Sequence, residues 1–272
     1  MFDPILFSLL RSSLVEVIMV CLLAGMMGIF VVNFQMAFFS DAISHSAFTG
    51  VALGLIAGVD PLFTVVAFGV IIGLLVVFFR KKTGMSYDTI IGVFFSFSVS
   101  LGIVIVSSSK GLFRNFHTFL YGDILLINNT DLAITFLLLI VTSTFIIVNF
   151  DKLTLVGIDE TFASTHVTGV TILKYAFSLL LGLVVTLSIK TVGILLVTAL
   201  LVVPAASARA ITSSIAWMFY SSVILSVLSG MGGIIVSFHL NSSAGASIVI
   251  VSCLFFLLCT LWKSLRDYRA TR

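Results

Sequence analysis

Long apolar runs separated by short polar connections decide what this chain can fold into. Stretches of about 17–25 residues with few or no charges fall near 12–34, 43–59, 62–79, 89–108, 131–150, 171–189, 192–208, 214–238 and 245–262. A bilayer core about 30 Å thick needs about 20 apolar residues per helix. The runs therefore predict an all-α, polytopic membrane protein with eight to nine transmembrane helices, organised as a single domain over residues 1–272. They are continuous rather than alternating, which argues against a membrane β-barrel. Composition points the same way. Charged residues make up 9% of the chain and hydrophobic ones 60%, whereas a soluble domain carries roughly 25% charged residues. A soluble fold of this length would lack the charge to cover its surface.

The few charges are informative by position. Arg80, Lys81, Lys82, Lys152, Lys174, Arg209 and the tail residues Lys263, Arg266, Arg269 and Arg272 fall on one side of a nine-span topology. Arg11, Lys110, Arg114 and Lys190 fall on the other. The side richer in basic residues is the cytoplasmic one, which puts the C-terminus inside and the N-terminus outside. The first apolar run has no cleavable-signal pattern and is read as a retained span. The net charge of +3 forms no basic stripe, so nucleic acid is not an expected partner. Cys21, Cys253 and Cys259 lie in apolar runs and are read as small buried hydrophobes, not as a disulfide or zinc framework. The stretch 111–127 is apolar but short and interrupted, as a re-entrant segment would be. No G-x-x-x-x-G-K-[ST] motif is present, so any ATP-driven activity needs a second chain.

The most informative polar cluster is SDAISHS, residues 40–46. Ser40 is positioned to cap a helix whose first turn holds Asp41. Asp41 and His45 are then four residues apart on one helical face. A carboxylate and an imidazole so placed suit a divalent ion, and both are expensive beside lipid unless they have a function. The bland alternative is a local Asp–His hydrogen bond without metal. Gly50, Gly54 and Gly58 follow at four-residue intervals, a face that admits a neighbouring helix closely. His239, in SFHLNSSAG, is a candidate third ligand; His117 and His166 are read as non-ligands. Glu16 stands alone in the first run, where it pairs with a neighbouring helix or marks a cavity. Pro204 is expected to kink the seventh span.

Four stretches, in order along nearly the whole chain, resemble the ABC-3 family, the permeases of bacterial zinc, manganese and iron ABC importers. FFSDAISHSAFTGVALGLIAG (38–58) looks like the family's D-A-x-x-H-x-x-x-x-G block. SYDTIIGVFFSFSVSLGIVIVS (86–107) is similar to its D-T-x-I-G span, and FLYGDILLI (119–127) to its F-G-D-I-L element. VGILLVTALLVVPAASARAI (192–211) matches its V-G-x-L-L-V-x-A-L-L-x-x-P-A-A-x-A-R run. There are departures. Phe48-Thr49-Gly50 stands where the family usually has Leu-Pro-Gly, and Asn241-Ser242-Ser243 where it has an Asp-x-Pro-like stretch. The cytoplasmic D-E-x-x-A-R block ends in Ser164 instead of arginine.

The resemblance implies a multi-pass permease of the bacterial inner membrane, with no permanently bound cofactor and no enzymatic activity of its own. It implies transport of a divalent metal ion, Zn2+ or Mn2+ and possibly iron, through Asp41, His45 and, less directly, His239. It also implies a cytoplasmic ATP-binding subunit that uses the ATP, an extracytoplasmic metal-binding protein and a second permease copy. A short cytoplasmic coupling helix over 159–169 would meet the ATPase through Asp159, Glu160, Phe162 and Ala163. Two other readings stay open at the level of sequence. An ion-gradient-driven secondary transporter would need charged relays or paired broken helices, for which Asp41, Glu16 and Lys174 are the candidates. A membrane scaffold would leave the Asp–His pair without a purpose. A reporter fused after Arg272 is expected to report the cytoplasm, and one inserted in the Lys110–Thr130 connection the outside. The reverse pair of signals would overturn the orientation.

Overall fold

A computed structural model describes residues 4–108, 127–193 and 197–270. The expected re-entrant segment, apart from Ile127, falls outside them, as does His117. The described residues form ten helices: α1 Pro4–Asn33, α2 Phe39–Ala57, α3 Pro61–Thr83, α4 Tyr87–Ser108, α5 Asn129–Ile158, α6 Glu160–His166, α7 Val170–Val192, α8 Val197–Ile211, α9 Ile215–Leu240 and α10 Ala244–Ala270. Each of the nine expected spans coincides with one of these helices. Among the described residues seven are long and apolar enough to cross a membrane: α1, α3, α4, α5, α7, α9 and α10. The other two fall short for different reasons, α2 by polarity and α8 by length. The first half of α2 carries Ser40, Asp41, Ser44, His45 and Ser46, and α8 has 15 residues. α8 continues through Pro204 as a helix.

Helix ends are punctuated by side chains and left-handed residues. Asp60 accepts the Leu62 amide at 2.8 Å ahead of Pro61, the first residue of α3. Asn128 and Asp131 exchange backbone-to-side-chain hydrogen bonds of 2.9 Å at the start of α5. Asp159 accepts from the Thr161 and Phe162 amides at 2.8 and 2.9 Å, which starts α6. The helix expected over 159–169 is therefore shorter. Val167 turns to extended backbone and Gly169 has φ +81°. Ser40 does not cap α2 as expected. The helix begins one residue earlier, and the Ser40 hydroxyl donates to the Ala37 carbonyl.

The chain divides into two compact units. The first comprises Met1–Val32, Ile124–Phe150 and Ala199–Arg272. Its core is a close packing of α1 on α9. A β-carbon added at Gly25 would stand 2.7 Å from Val223 Cα, and the Ser222 and Ser226 hydroxyls donate to the Gly25 and Cys21 carbonyls at 2.9 and 2.7 Å. Small residues and interhelical hydroxyl bonds are what hold helices together where lipid removes the hydrophobic drive between them. Glu16 is buried here and accepts from the Thr135 hydroxyl of α5 at 2.7 Å, the first of the two roles considered for it. Cys21 is buried as expected, but Cys253 is exposed on the outer face of α10 beside Leu254 and Leu257. That face is apolar because lipid is its solvent. Trp217 and Tyr220 near the start of α9, and Trp262 and Tyr268 near the end of α10, are also exposed. Along α10 the second pair is interleaved with Lys263 and Arg266, as in an aromatic belt at a membrane interface.

The second unit comprises Asn33–Asp123 and Asp151–Thr198. Its defining contact is α2 antiparallel to α3. A β-carbon at Gly50 would stand 2.7 Å from Val65 Cα, and one at Gly54 would stand 3.0 Å from Pro61 Cα and collide with the Thr64 hydroxyl. On the other side of the contact, Ile43 packs over Gly69 and Gly73. Gly58 does not belong to this packing face. It has open space around it and caps α2 at φ +66°. The Ser178 hydroxyl of α7 donates to the Gly73 carbonyl at 2.9 Å and locks α7 to the same place. Gly58→Ala is expected to cost about 1 kcal/mol, the strain of a side chain in the left-handed region, and Gly58→Asn less. Gly50→Leu should lower the thermal unfolding midpoint in detergent far more, because backbone and not a flexible side chain occupies the space. Equal effects of Gly50→Leu and Gly58→Ala would count against the close approach.

Candidate functional site

The register of α2 against α3 sets the depth of its polar start. Residues 50 and 54 lie level with 65 and 61, and Ile43 lies level with Gly69 and Gly73, half-way along the 23 residues of α3. Asp41 and His45 flank Ile43. They therefore sit near the middle of a membrane span, although Asp41 is only two residues into its own helix. The opposite register end shows the same thing. Arg80 lies seven residues beyond Gly73, about 10 Å further along α3.

Asp41 and His45 face one another as their spacing predicts. His45 Nε2 lies 3.9 Å from Asp41 Oδ1, and the two side chains are 30% and 35% exposed. This is too long for a hydrogen bond, so the simple local Asp–His bond considered from sequence is not made. Instead Asp41 Oδ1 accepts from the Thr198 hydroxyl at the start of α8, at 3.1 Å. The His45 ring stands edge-on to Phe95 of α4, with centroids 5.0 Å apart. One turn on, Thr49 donates to the Ser98 carbonyl at 2.5 Å. α4 and the start of α8 thus hold the pair from two sides. Thr198 and Phe95 were not singled out in the sequence. A lone threonine in VTALL and one phenylalanine among many carry no local signal. The departure at Thr49 does: where the family usually has proline, this chain gains a hydroxyl that ties α2 to α4.

His239 is exposed in the last turn of α9, in the first unit, with Phe238 beside it at a ring distance of 6.0 Å. Among the described residues no three His, Cys, Asp or Glu side chains come together as a ready-made metal cage.

The segment expected to form a coupling helix has an inner and an outer face. Ala163 is fully buried, so it anchors the helix and is not open to a partner. Phe162 is 48% exposed and stacks on His166 with ring centroids 4.0 Å apart. Asp159 is exposed at the cap. Glu160 bonds Lys174 Nζ at 2.5 Å, and Arg80 lies 4.0 Å from its other oxygen. A cleft of about 250 Å³ opens beside it, lined among others by Asn33, Gln35, Arg80, Tyr87, Glu160 and Lys174. The ends of α3 and α5 and the starts of α4, α6 and α7 thus meet at one end of this unit.

The sequence pattern of the ABC 3 transport family matches residues 6–263. The chain belongs to the ABC 3 transport family. It is a multi-pass inner-membrane permease of that family. Its relatives include the high-affinity zinc uptake system membrane protein ZnuB of Haemophilus influenzae, 33% identical over 93% of this chain and 97% of that protein. The manganese transport system membrane protein MntC of Listeria monocytogenes is 29% identical over 94% of this chain and 91% of its own length. Among solved structures, PsaBC from Streptococcus pneumoniae in complex with Fab superimposes with a TM-score of 0.79 at 29% identity, covering 95% of each chain. In this ABC 3 permease the Thr198 bond to a carboxylate is worth about 1.5–3 kcal/mol at most. Thr198→Val is expected to lower transport roughly tenfold by freeing Asp41 to rotate, and Thr198→Ser to leave it nearly unchanged. Transport normalised to inserted protein is the measurement, and equal activity of the two variants would remove Thr198 from the site.

Proposed function

We propose that this chain is the permease subunit of an ATP-driven importer of divalent transition-metal ions, zinc or manganese, and that Asp41 and His45 bind the ion half-way along its path. The observation that carries the reading is the pairing of a carboxylate and an imidazole on one helical face at mid-span depth. Ionisable groups at that depth are retained for function. Family membership and the named activities of the zinc and manganese relatives support metal as the cargo. A zinc ion with bonds of about 2.0–2.1 Å would set tetrahedral donor atoms about 3.4 Å apart. The 3.9 Å pair needs only a small side-chain rotation to reach that spacing. Two protein ligands leave other positions for water or for an accessory donor. A loosely completed site suits a carrier, which must release what it binds.

The remaining roles follow from what the chain lacks and what it exposes. It has no phosphate-binding loop, so a cytoplasmic ATP-binding subunit hydrolyses the ATP. That subunit docks on α6, the coupling helix, with Asp159 and Phe162 on its open face and Ala163 holding it from within. An extracytoplasmic metal-binding protein delivers the ion, and a second copy of the permease completes the pathway, each copy serving as one permease domain over its whole length. Asp41→Asn keeps shape and removes charge; His45→Ala removes the nitrogen donor. Either is expected to abolish metal uptake while the amount of inserted protein stays near normal, and His239→Ala to weaken uptake less. Near-normal uptake by both Asp41→Asn and His45→Ala would sink the site.

A further inference from the structure

α6 has seven residues, too few for a helix to persist on its own propensity. Something in the tertiary structure must hold it, and it is held at two places. Ala163 is buried at its centre. At its first residue, the two oxygens of one carboxylate face cations from two different membrane spans. Lys174 Nζ of α7 lies 2.5 Å from Glu160 Oε1, and Arg80 Nη2 of α3 lies 4.0 Å from Oε2. An exposed ion pair contributes little, but this one is not fully exposed. The Lys174 side chain is 12% exposed and that of Arg80 28%. Both cations also flank the buried ring of Tyr87, at 5.3 and 5.2 Å from its centroid, which fixes them against α4. Removing the carboxylate would leave two partly desolvated positive charges beside one ring.

We propose that Glu160 is the positioning residue through which α6 moves the spans. Lys174 and Arg80 face its carboxylate, so displacement of α6 is passed to α7 and α3 directly rather than only through the chain connection at Gly169. This inference rests on the reading of α6 as the element that docks an ATPase, and it names the residue that transmits the motion inward. Glu160 works away from the docking face, which Asp159 and Phe162 supply. The path onward is short. α3 carries the Gly69–Gly73 stretch against which Ile43, between Asp41 and His45, is packed, and α7 is tied to Gly73 by Ser178.

The test uses the whole transporter in proteoliposomes, with the permease, its ATPase and the metal-delivering protein, and zinc or manganese as the probe. Glu160→Gln is expected to keep the ATPase bound and hydrolysing ATP while metal moved per ATP falls roughly tenfold, a typical coupling effect. Glu160→Asp should lose less. The exchange Glu160→Lys with Lys174→Glu should restore most of the loss, which a merely structural contact to the ATPase would not do. Unchanged stoichiometry in Glu160→Gln overturns the proposal. So does a loss of transport that simply follows a loss of bound ATPase, or an exchange no better than Glu160→Gln. If the exchange variant fails to insert, the stoichiometry of Glu160→Gln still decides. A photo-crosslinking side chain at Ser164 separates the two layers. An adduct with the ATPase together with unchanged stoichiometry overturns the role of Glu160 alone. No adduct overturns the docking reading, and that role with it.

Discussion

The close approach of α2 to α3 is the constraint on which the functional geometry depends. Gly50 and Gly54 bring backbone against backbone at Val65 and Pro61, so the two helices have one register and no freedom to slide. That register lifts the start of α2 away from the membrane edge and into the middle of the span. The polar residues Ser40–Ser46 are then at depth, and the connection from Asn33 to Phe38 climbs to them from the end where Asn33 and Gln35 line the cleft with Arg80 and Glu160. Irregular backbone is tolerated at depth only if its polar groups are satisfied. They are met locally: the Phe39 amide donates to the Met36 carbonyl at 2.9 Å and the Ala42 amide to the Phe38 carbonyl at 3.0 Å.

Much of the fold was legible because membrane helices announce themselves by length and apolarity. Every expected span coincides with a helix, and the Asp41–His45 pairing follows from helical periodicity alone. What could not be read was depth. Hydropathy placed Asp41 just outside a span starting at 43, since a polar run ordinarily marks a membrane edge. Only the tertiary register with α3 shows that this helix starts in mid-membrane. Gly58 was misassigned to the packing face for a related reason. Its spacing matches Gly50 and Gly54, and spacing cannot distinguish a packed glycine from a left-handed cap. Thr198 and Phe95 lie too far along the chain from Asp41 for any local pattern to connect them.

The charges show the same limit. Arg80 and Lys174 were readable as markers of the cytoplasmic side, and they do converge at one end of the second unit. Sequence gave no sign that they converge on a single carboxylate. The resemblance had suggested a missing arginine at Ser164 as a loss. In the structure the positive charge near α6 comes from two spans instead, so the helix is bound to the membrane domain more than to itself.

Starting a helix in mid-membrane also has an electrostatic consequence. The first turn of α2 carries the positive end of the helix dipole, equivalent to roughly half a positive charge at a helix N-terminus. In water this would be screened, but in the apolar thickness of the bundle it is not. A divalent cation approaching along the pathway would meet repulsion at the very place where it is to be bound. Asp41, in that first turn, cancels the amide field before it contributes any ligand bond. In the proposed metal site its carboxylate would act twice on the cation, by removing an unfavourable field and by offering oxygen, whereas His45 would act once. A neutral side chain at 41 would leave a helix N-terminus better suited to an anion than to a cation.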